Sequence, residues 1–187
     1  YSTVQGTATI TEYGNSIPFT GKLEALTQFT LPPIVELKLR DDHVKALESA
    51  AGNQFVATQY IAVQSATNNV VFTTNGTATA TATAALTAFN VRAIVDFMKK
   101  RNIPRVGGDY ICVASTQALS GMHGDTAAGG WQDISKYTGE YAKNIFNGEI
   151  GRFYMTRFVE ETGYLSNTIG SGSRGAAIFF GSDVVYE

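Results

Sequence analysis

Residues 145–161, IFNGEIGRFYMTRFVEE, place an Asn-Gly dipeptide directly before a long apolar stretch. Asn-Gly is the strongest short hairpin signal, because both central residues of a type I′ turn need a positive φ. Gly151 follows Gly148 closely and fits a backbone irregularity at the start of a strand. The segment therefore predicts a tight turn at Asn147-Gly148 that leads into a strand.

Residues 87–103 carry the clearest helical pattern in the chain. Apolar residues recur at the spacing of one helix face, at Val91, Ile94, Val95 and Met98. Thr87 is suited to cap the N-terminus, and Pro104 is expected to end the helix. The basic run at 99–101 complements the C-terminal end of the helix dipole, and we favour this structural role over a phosphate site.

A second helix is predicted over 33–52. Pro32 and Pro33 mark its start, since proline is tolerated in the first turn of a helix, and Gly52-Asn53 is expected to end it. Its apolar residues share one face: Ile34, Leu37, Val44, Leu47 and Ala51.

The rest of the chain alternates between strand patterns, loops and shorter helices. Together these patterns predict an α+β fold in which helices pack on a mostly antiparallel sheet. We expect a strand at 4–11, apolar β-leaning sequence at 54–72, a weak strand or loop in the Thr/Ala tract at 73–87, a strand at 110–114, a short helix from Thr116, a helix over 131–146 and a strand at 176–180.

Charge is sparse in this sequence. Charged residues make up 16% of the chain, hydrophobic residues 44%, and the net charge is −2. This balance argues against a dedicated nucleic-acid binder, and no apolar run approaches the length of a membrane span. Few charges together with many Tyr and Phe residues indicate a surface that other molecules cover.

Candidate catalytic residues are Ser115, His123 and Asp125. The serine stands in VASTQ, which lacks the small residues of a G-x-S-x-G nucleophile elbow, so we favour a polar helix start followed by a loop. Cys112, the single cysteine, excludes an internal disulfide, and its apolar surroundings predict a buried structural thiol. His43 lies far from His123 in the sequence, so no metal site is expected.

Three further motifs have structural explanations. GSGSRG at 170–175 opens a strand instead of a helix, which favours a flexible connection over an anion-binding loop. Glu160 and Glu161 are adjacent and would point to opposite faces of a strand, so they cannot form a close carboxylate pair. The glycosylation pattern at 75–77 is interpreted as accidental. No catalytic residue, cofactor or metal is therefore predicted.

The segment at 131–161 resembles the signature segment of the major capsid proteins of N-four-like podophages and related tailed phages. Members of that family carry a Trp, then a Tyr, then an "i-f-n-G-e-i-G" turn, and a strand ending "r-F-v-E-t". EYGNSIPFTGKLE is similar to a second family stretch, and Gly21 stands where the family usually has an acid. The matching positions that we take as family motif and possible subunit contacts are Tyr13, Gly14, Asn15, Trp131, Tyr137, Asn147, Gly148, Glu149, Gly151, Arg157, Phe158 and Glu160.

The resemblance implies the coat fold first described for Hong Kong 97 phage. A spine helix and strands would form a peripheral domain at 1–59, and a central sheet with flanking helices would form an axial domain at 60–187. The N-terminal arm, the extended loop and the C-terminal peripheral strands of the family have no counterpart in this sequence. A partial chain or an unusually small coat protein is therefore expected.

The function implied by the resemblance is structural. Copies of the chain would assemble into hexamers and pentamers of an icosahedral head that encloses viral DNA, in the cytoplasm of a bacterial host. Decoration, portal or scaffolding proteins are further partners, and double-stranded DNA would touch a weakly acidic inner wall only weakly. An encapsulin-like nanocompartment shell and a surface fibre or adhesin subunit are the alternatives. Candidate contact segments around symmetry axes are 147–151, 74–87 and 166–175.

Overall fold

A computed structural model describes residues 9–66, 68–83, 85–124, 149–163, 165 and 175–182. The chain divides into an N-terminal unit, Tyr1–Ala51, and a C-terminal unit, Gly52–Glu187. The predicted helix at 131–146, the Asn147-Gly148 turn and most of the predicted strand at 4–11 lie outside the described residues. Residues 9–11 form no strand, so this part of the strand prediction is wrong.

The N-terminal unit contains a short helix and most of a long one. Helix α1 spans Gly21–Leu26 and is capped by Thr20, whose Oγ1 accepts a hydrogen bond from the Leu23 amide at 3.3 Å. Helix α2 spans Leu31–Val56 and holds both prolines in its first turn. The helix predicted at 33–52 is therefore present, but Gly52-Asn53 does not end it. Helix α1 was not predicted, because six residues carry too little periodicity to show a helix face.

The C-terminal unit is a mixed α+β arrangement. Strands β1 and β2 form a separate antiparallel hairpin, and a four-stranded sheet has the order β4-β5-β3-β6. The elements are β1 Ile61–Ala66, β2 Asn69–Thr73, α3 Ala88–Lys100, β3 Tyr110–Ser115, α4 Thr116–His123, β4 Glu149–Phe153, β5 Thr156–Glu161 and β6 Ala177–Phe180.

The sheet is mostly antiparallel, as the sequence predicts. Strand β3 pairs in parallel with β5, placing Cys112 opposite Phe158, and antiparallel with β6, placing Cys112 opposite Phe179. Strand β4 pairs antiparallel with β5, with a register shift between Glu149 and Gly151. Gly151 therefore lies at a strand irregularity, as its position after the Asn-Gly pair predicts.

Helix α3 covers one face of this sheet. Its predicted apolar stripe is confirmed, since Val91, Val95 and Met98 are buried in the same core as Tyr110 and Phe158. Thr87 occupies the N-cap position with an extended backbone, yet its side chain makes no capping hydrogen bond. The core thus forms where the sheet meets the helix with the clearest amphipathic pattern.

The long strand predicted after Asn147-Gly148 is two strands. The chain reverses at Tyr154 and Met155, which have φ values of 46° and 59° and join β4 to β5. Positive φ at both positions matches a two-residue type I′ turn, which normally selects glycine or asparagine. Sequence reasoning misses this turn because neither residue carries the usual signal.

The β1–β2 hairpin packs against α3 through aromatic rings. The rings of Phe72 and Phe97 are stacked with their centroids 4.6 Å apart, and Tyr60 meets Phe97 edge-on at 5.9 Å. Beyond Thr73, which ends β2, the described part of the Thr/Ala tract forms no regular strand. It is tied to β1, since the Thr83 amide donates to Gln64 O at 3.0 Å. The loop interpretation of this tract is the correct one.

Candidate assembly surface and polar clusters

The N-terminal unit exposes its apolar side chains. Among described residues 9–51 none is buried, and Leu26 and Phe29 each expose 73% of their surface. Eleven large apolar side chains in this range are exposed: Ile10, Tyr13, Ile17, Phe19, Leu23, Leu26, Phe29, Ile34, Leu37, Val44 and Leu47. A monomeric soluble protein rarely leaves so many large apolar groups uncovered in one stretch. This range is the candidate assembly surface.

The same unit holds the first set of predicted motif residues. Tyr13 is exposed, and the space around Gly14 is open, so a side chain there would contact nothing within 4 Å. Asn15 donates from Nδ2 to Asp42 Oδ2 at 2.6 Å, and its Oδ1 accepts from the Ser16 amide at 2.8 Å. Asn15 therefore ties the irregular segment before α1 to helix α2, which is a structural role. Tyr13 remains exposed.

The second set of motif residues lies at the β4–β5 ladder. Gly151 pairs with Phe158, and Glu149 with Val159. Phe158 is fully buried, with its ring edge-on to Phe179 at 6.3 Å, so it packs the core. Glu160 accepts a hydrogen bond from Thr116 Oγ1 at 2.8 Å. Trp131, Tyr137, Asn147 and Gly148, which complete the motif, lie outside the described residues.

Arg157 belongs to an ionic cluster, centred on the buried Asp109, that sequence reasoning missed. Asp109, which is 1% exposed, accepts from Arg157 Nε through Oδ2 at 2.9 Å. Its other oxygen accepts from Arg152 Nη2 at 2.6 Å and from Arg152 Nε at 3.1 Å. The two arginines are direct cross-strand partners, so their like charges would repel without the carboxylate between them.

A glycine turn places this carboxylate. Gly107 and Gly108 have φ values of 59° and 95°, and the Val106 and Asp109 backbones exchange two hydrogen bonds across them. The turn delivers Asp109 to the start of β3, beside the β4–β5 ladder. The Gly-Gly pair is the only sequence signal for this cluster, and it predicts a turn without naming the partners.

Ser115 is a structural residue in this fold. It is fully buried at the N-cap of α4, where its Oγ accepts from the Ala176 amide at 3.0 Å and the Ala118 amide at 3.4 Å. His123 ends the same helix and is exposed, roughly 12 Å farther along the axis at 1.5 Å per residue. The two side chains cannot share a hydrogen bond, and Asp125 lies outside the described residues.

Cys112 is a buried free thiol at the centre of the sheet, as predicted. Burial raises the pKa of the Cys112 thiol well above its ordinary value, which disfavours the reactive thiolate. Within the described ranges, no three His, Cys, Asp or Glu side chains gather as metal ligands.

Glu161 and Glu160 point apart, as their adjacent strand positions predict. Glu161 uses Oε2 to accept from the Leu165 amide at 2.6 Å and Oε1 to accept from the Gly163 amide. Glu160 instead reaches across to Thr116 on α4. The Glu161 carboxylate accepts hydrogen bonds from the loop that follows β5, and the Glu160 carboxylate accepts one from the first residue of α4. The two carboxylates therefore do not form a shared acid–base site.

No helix in the described part of the chain is both long and apolar enough to cross a bilayer. Comparison with protein-family models, with curated proteins and with solved structures finds no match for this chain.

Proposed function

We propose that this chain is a major capsid protein of a tailed phage, which assembles into the hexamers and pentamers of an icosahedral head. The observation that carries the proposal is the uncovered N-terminal unit. Residues 9–51 form helix α1, most of helix α2 and irregular segments, with no buried residue and many exposed apolar groups. Apolar groups exposed in this way are suited to burial against other chains.

Energetic reasoning supports a shell over a single partner. Burial of apolar surface contributes about 25 cal/mol per Å², so each exposed leucine or phenylalanine offers only about 1–3 kcal/mol when covered. The exposed apolar groups are distributed over residues 10–47 and do not form one cluster in the sequence, which favours contacts with several neighbours over one large face. In a closed shell many modest contacts act together, since each copy is held at several places at once.

The C-terminal unit supports the same proposal more weakly. Its central sheet with α3 packed on one face is compatible with the axial domain that the capsid resemblance implies. Within this unit, the described residues that match the family motif lie at the β4–β5 ladder of the sheet, and Phe158 packs its core. On this proposal the C-terminal unit is the rigid body of the subunit, and the N-terminal unit joins it to neighbouring copies.

Electron microscopy of the purified chain tests the proposal. Uniform icosahedral shells built from hexameric and pentameric units are the expected result, with nucleic acid inside particles taken from the host. Shells filled with protein cargo would assign the chain to a nanocompartment instead. A discrete small oligomer at all concentrations, or fibres, would overturn the proposal.

A matched pair of variants makes the test specific to the surface. Leu37→Ala together with Val44→Ala removes two exposed apolar groups from α2, whereas Lys38→Ala together with Lys45→Ala removes two charged groups from the same helix. We expect the first pair to reduce shell yield strongly and the second to reduce it little. Equal yields from both pairs would contradict an apolar assembly surface.

A further inference from the structure

One face of helix α2 combines apolar and acidic residues. Successive residues of a helix are rotated by about 100°, so Leu37, Asp41, Val44 and Glu48, spaced by four, three and four positions, lie along one stripe. All four side chains are exposed. These four residues are the outer stripe of α2. The half-buried residues of the helix in this unit lie on the opposite side, at Leu31, Val35, Leu39, Ala46 and Ala50.

The two carboxylates of the outer stripe form no ion pair within the part of the chain that the structure describes. Lys45 follows Asp41 by one helical turn, yet the two side chains do not come within ion-pair distance. Asp42 lies off the stripe, where it accepts a hydrogen bond from Asn15 Nδ2 at 2.6 Å. A surface that complements the outer stripe must therefore present apolar groups together with cations.

The C-terminal unit carries such a surface beside the β4–β5 turn. A shallow cleft of about 370 Å³ has Lys99, Arg105 and Tyr110 in its lining. The turn residues contact the basic residues of this cleft: Lys99 Nζ lies 4.6 Å from the ring centroid of Tyr154, and Arg105 Nη1 lies 3.6 Å from Met155 Sδ. These contacts join two basic side chains and two exposed apolar side chains in one surface. The turn surface is the set Lys99, Arg105, Tyr154 and Met155.

Arg105 supplies the uncompensated charge of the turn surface. Lys99 is paired with Asp96 at 3.6 Å, and Asp96 also accepts from the Tyr154 hydroxyl at 3.2 Å. Arg105 is exposed and forms no ion pair with a described carboxylate. Residues 96–106 contain four basic residues and one acid, whereas residues 9–51 contain six acids and four basic residues. The charge balance is therefore positive around the turn surface and negative around the outer stripe.

The backbone of the turn holds its side chains in place for a contact. Tyr154 and Met155 have φ values of 46° and 59°, and the Met155 carbonyl accepts from the Tyr110 amide at 2.8 Å. A turn fixed in this way loses little conformational freedom when its side chains are covered. Aromatic residues, methionine and arginine are also the residue types enriched at protein interfaces. The turn surface thus has the composition and the rigidity of a docking surface.

We infer that the turn surface of one copy of this chain docks on the outer stripe of α2 in a second copy. The inference deepens the proposed function and rests on it for the identity of the partner. Contact between two outer stripes is disfavoured, because Asp41 and Glu48 of both copies would bring like charges into one interface. Contact between two different surfaces is heterologous, which is the kind of contact that closes into rings.

Charge reversal followed by rescue tests the inference. Arg105→Glu brings a negative charge to the acids of the stripe, so the protein concentration at which light scattering detects assembly should rise at least about tenfold. Asp41→Lys or Glu48→Lys in the same chain restores opposite charges at the contact. At least one of these double variants should return the assembly concentration to within about threefold of that of the natural chain. A folding defect of Arg105→Glu would not be repaired by a second charge reversal.

Glu36→Lys is the matched control for the rescue. It makes the same change of charge on an exposed position of the same helix, but Glu36 is rotated by about 100° from Leu37 and lies off the outer stripe. It should leave the defect of Arg105→Glu in place. The inference is overturned if Arg105→Glu assembles like the natural chain, if neither stripe reversal rescues it, or if Glu36→Lys rescues it equally.

Met155→Gly is a second variant, and it preserves the turn. Glycine favours the positive φ at this position, so the fold should be kept, as circular dichroism would check. Loss of the exposed side chain removes an apolar contact and should raise the assembly concentration by about threefold to tenfold. An unchanged assembly concentration in a folded Met155→Gly chain would overturn the inference.

Electron microscopy of the same variants separates this inference from the proposed function. Shells formed equally by the natural chain and by Arg105→Glu would defeat only the inference. Association that is lost and rescued by the charge reversals, but gives rings or small oligomers without shells, would defeat only the proposed function. A natural chain that stays monomeric at every attainable concentration would overturn both, because a second copy would then not be the partner.

Discussion

Helices α2 and α3 differ in what covers their apolar faces. On α3 the apolar residues share one face, whereas on α2 they lie on more than one: Val35 and Leu39 are half-buried, and the residues of the predicted stripe are exposed. Both helices begin at a recognisable signal. On α3 the stripe is buried against the sheet, with Val91 and Val95 fully covered. On the part of α2 in the N-terminal unit, Leu37 and Val44 are exposed to 56% and 58%.

That difference shows what helical periodicity can and cannot say. A stripe predicts a helix and the face that avoids water, because apolar groups gain free energy wherever they are covered. It does not say whether the cover comes from the same chain. The apolar residues of α3 pack against the sheet of the same chain. On the proposed function, the exposed apolar residues of α2 pack against neighbouring subunits.

Replacing Phe158 with Ala should have the largest effect on folding. The ring is fully buried at the centre of the sheet, so its removal leaves a cavity and should lower the free energy of unfolding by about 3–5 kcal/mol. Urea denaturation followed by circular dichroism measures the change. Phe29→Ala, at a ring that is 73% exposed, is the control and should change stability by less than about 0.5 kcal/mol.

Similar losses at Phe29 and Phe158 would break the comparison between the units. They would mean that the N-terminal unit is covered within the chain. The two substitutions remove the same atoms, so the difference between them reports mainly how deeply each ring is buried.

Asp109→Asn should have the next largest effect. The neutral amide that replaces the carboxylate would not compensate the positive charges of Arg152 and Arg157. These two charges would then repel each other across adjacent strands. We expect a loss of about 2–3 kcal/mol, below the range for fully buried pairs because the Arg152 side chain is 50% exposed. Urea denaturation at low and high salt measures it.

The double variant Asp109→Asn with Arg152→Gln sharpens this prediction. Removal of one arginine relieves the repulsion, so the double variant should be more stable than Asp109→Asn alone. If the second substitution lowers the free energy of unfolding by as much again, the two residues are not energetically coupled. The Asp109–Arg152 ion pair would then not be what stabilises the β4–β5 pairing at this point.

Much of the fold could be predicted from the sequence where one element carries its own signal. Helix α3, strand β3 and strand β6 lie close to their predicted bounds, since strong periodicity or a short apolar run marks each. Helix α2 outlasts its predicted end because a glycine costs only about 1 kcal/mol inside a helix, which the remaining residues of the last turn outweigh. Phe55 in that turn packs against Phe180.

Features made by distant partners could not be predicted. The Tyr154-Met155 turn lacks glycine and is held by its surroundings. Met155 O accepts from the Tyr110 amide at 2.8 Å, the Tyr154 hydroxyl donates to Asp96 at 3.2 Å, and Lys99 lies over the Tyr154 ring. The Asp109 cluster likewise joins residues more than forty positions apart. No local pattern contains such pairings.

Gly181→Ala tests how tightly the C-terminal unit is packed. A Cβ at Gly181 would collide with Pro104 O and approach Ile103 Cγ2 to 2.9 Å, so the backbone would have to move. We expect a loss of about 1–3 kcal/mol, the usual range for overpacking, from thermal or urea unfolding. Gly14→Ala in the N-terminal unit should cost almost nothing, because the space around it is open. A large effect at Gly14 would show that this segment is packed.

Cys112 should make stability depend on alkaline pH. The buried thiol keeps its proton at pH values where the unfolded chain, with a thiol pKa of about 8.5, has begun to lose it. Below a pH of about 8.5 both states hold the thiol proton, so the free energy of unfolding does not depend on this group. Above that pH the unfolded state binds fewer protons than the folded one. Above it, stability falls by up to about 1.4 kcal/mol per pH unit.

Cys112→Ala provides the reference for this measurement. It loses some stability at every pH because of the smaller side chain, but its stability should decline less steeply between pH 8.5 and pH 10 than that of the natural chain. Parallel curves for the two proteins would show that the thiol titrates alike in both states and is not buried.

Substitution of Leu37 and Val44 by Ala should have the smallest effect on unfolding and a large effect on assembly. Both side chains are exposed, and alanine favours a helix at least as well as either residue, so the unfolding of unassembled chains should change by less than about 0.5 kcal/mol. Light scattering at increasing protein concentration should show assembly shifted to higher concentration. The free energy of unfolding is measured below the concentration at which chains assemble. A loss as large as that of Phe158→Ala would contradict the comparison, because the exposed side chains of α2 would then stabilise their own chain instead of contacts with neighbouring chains.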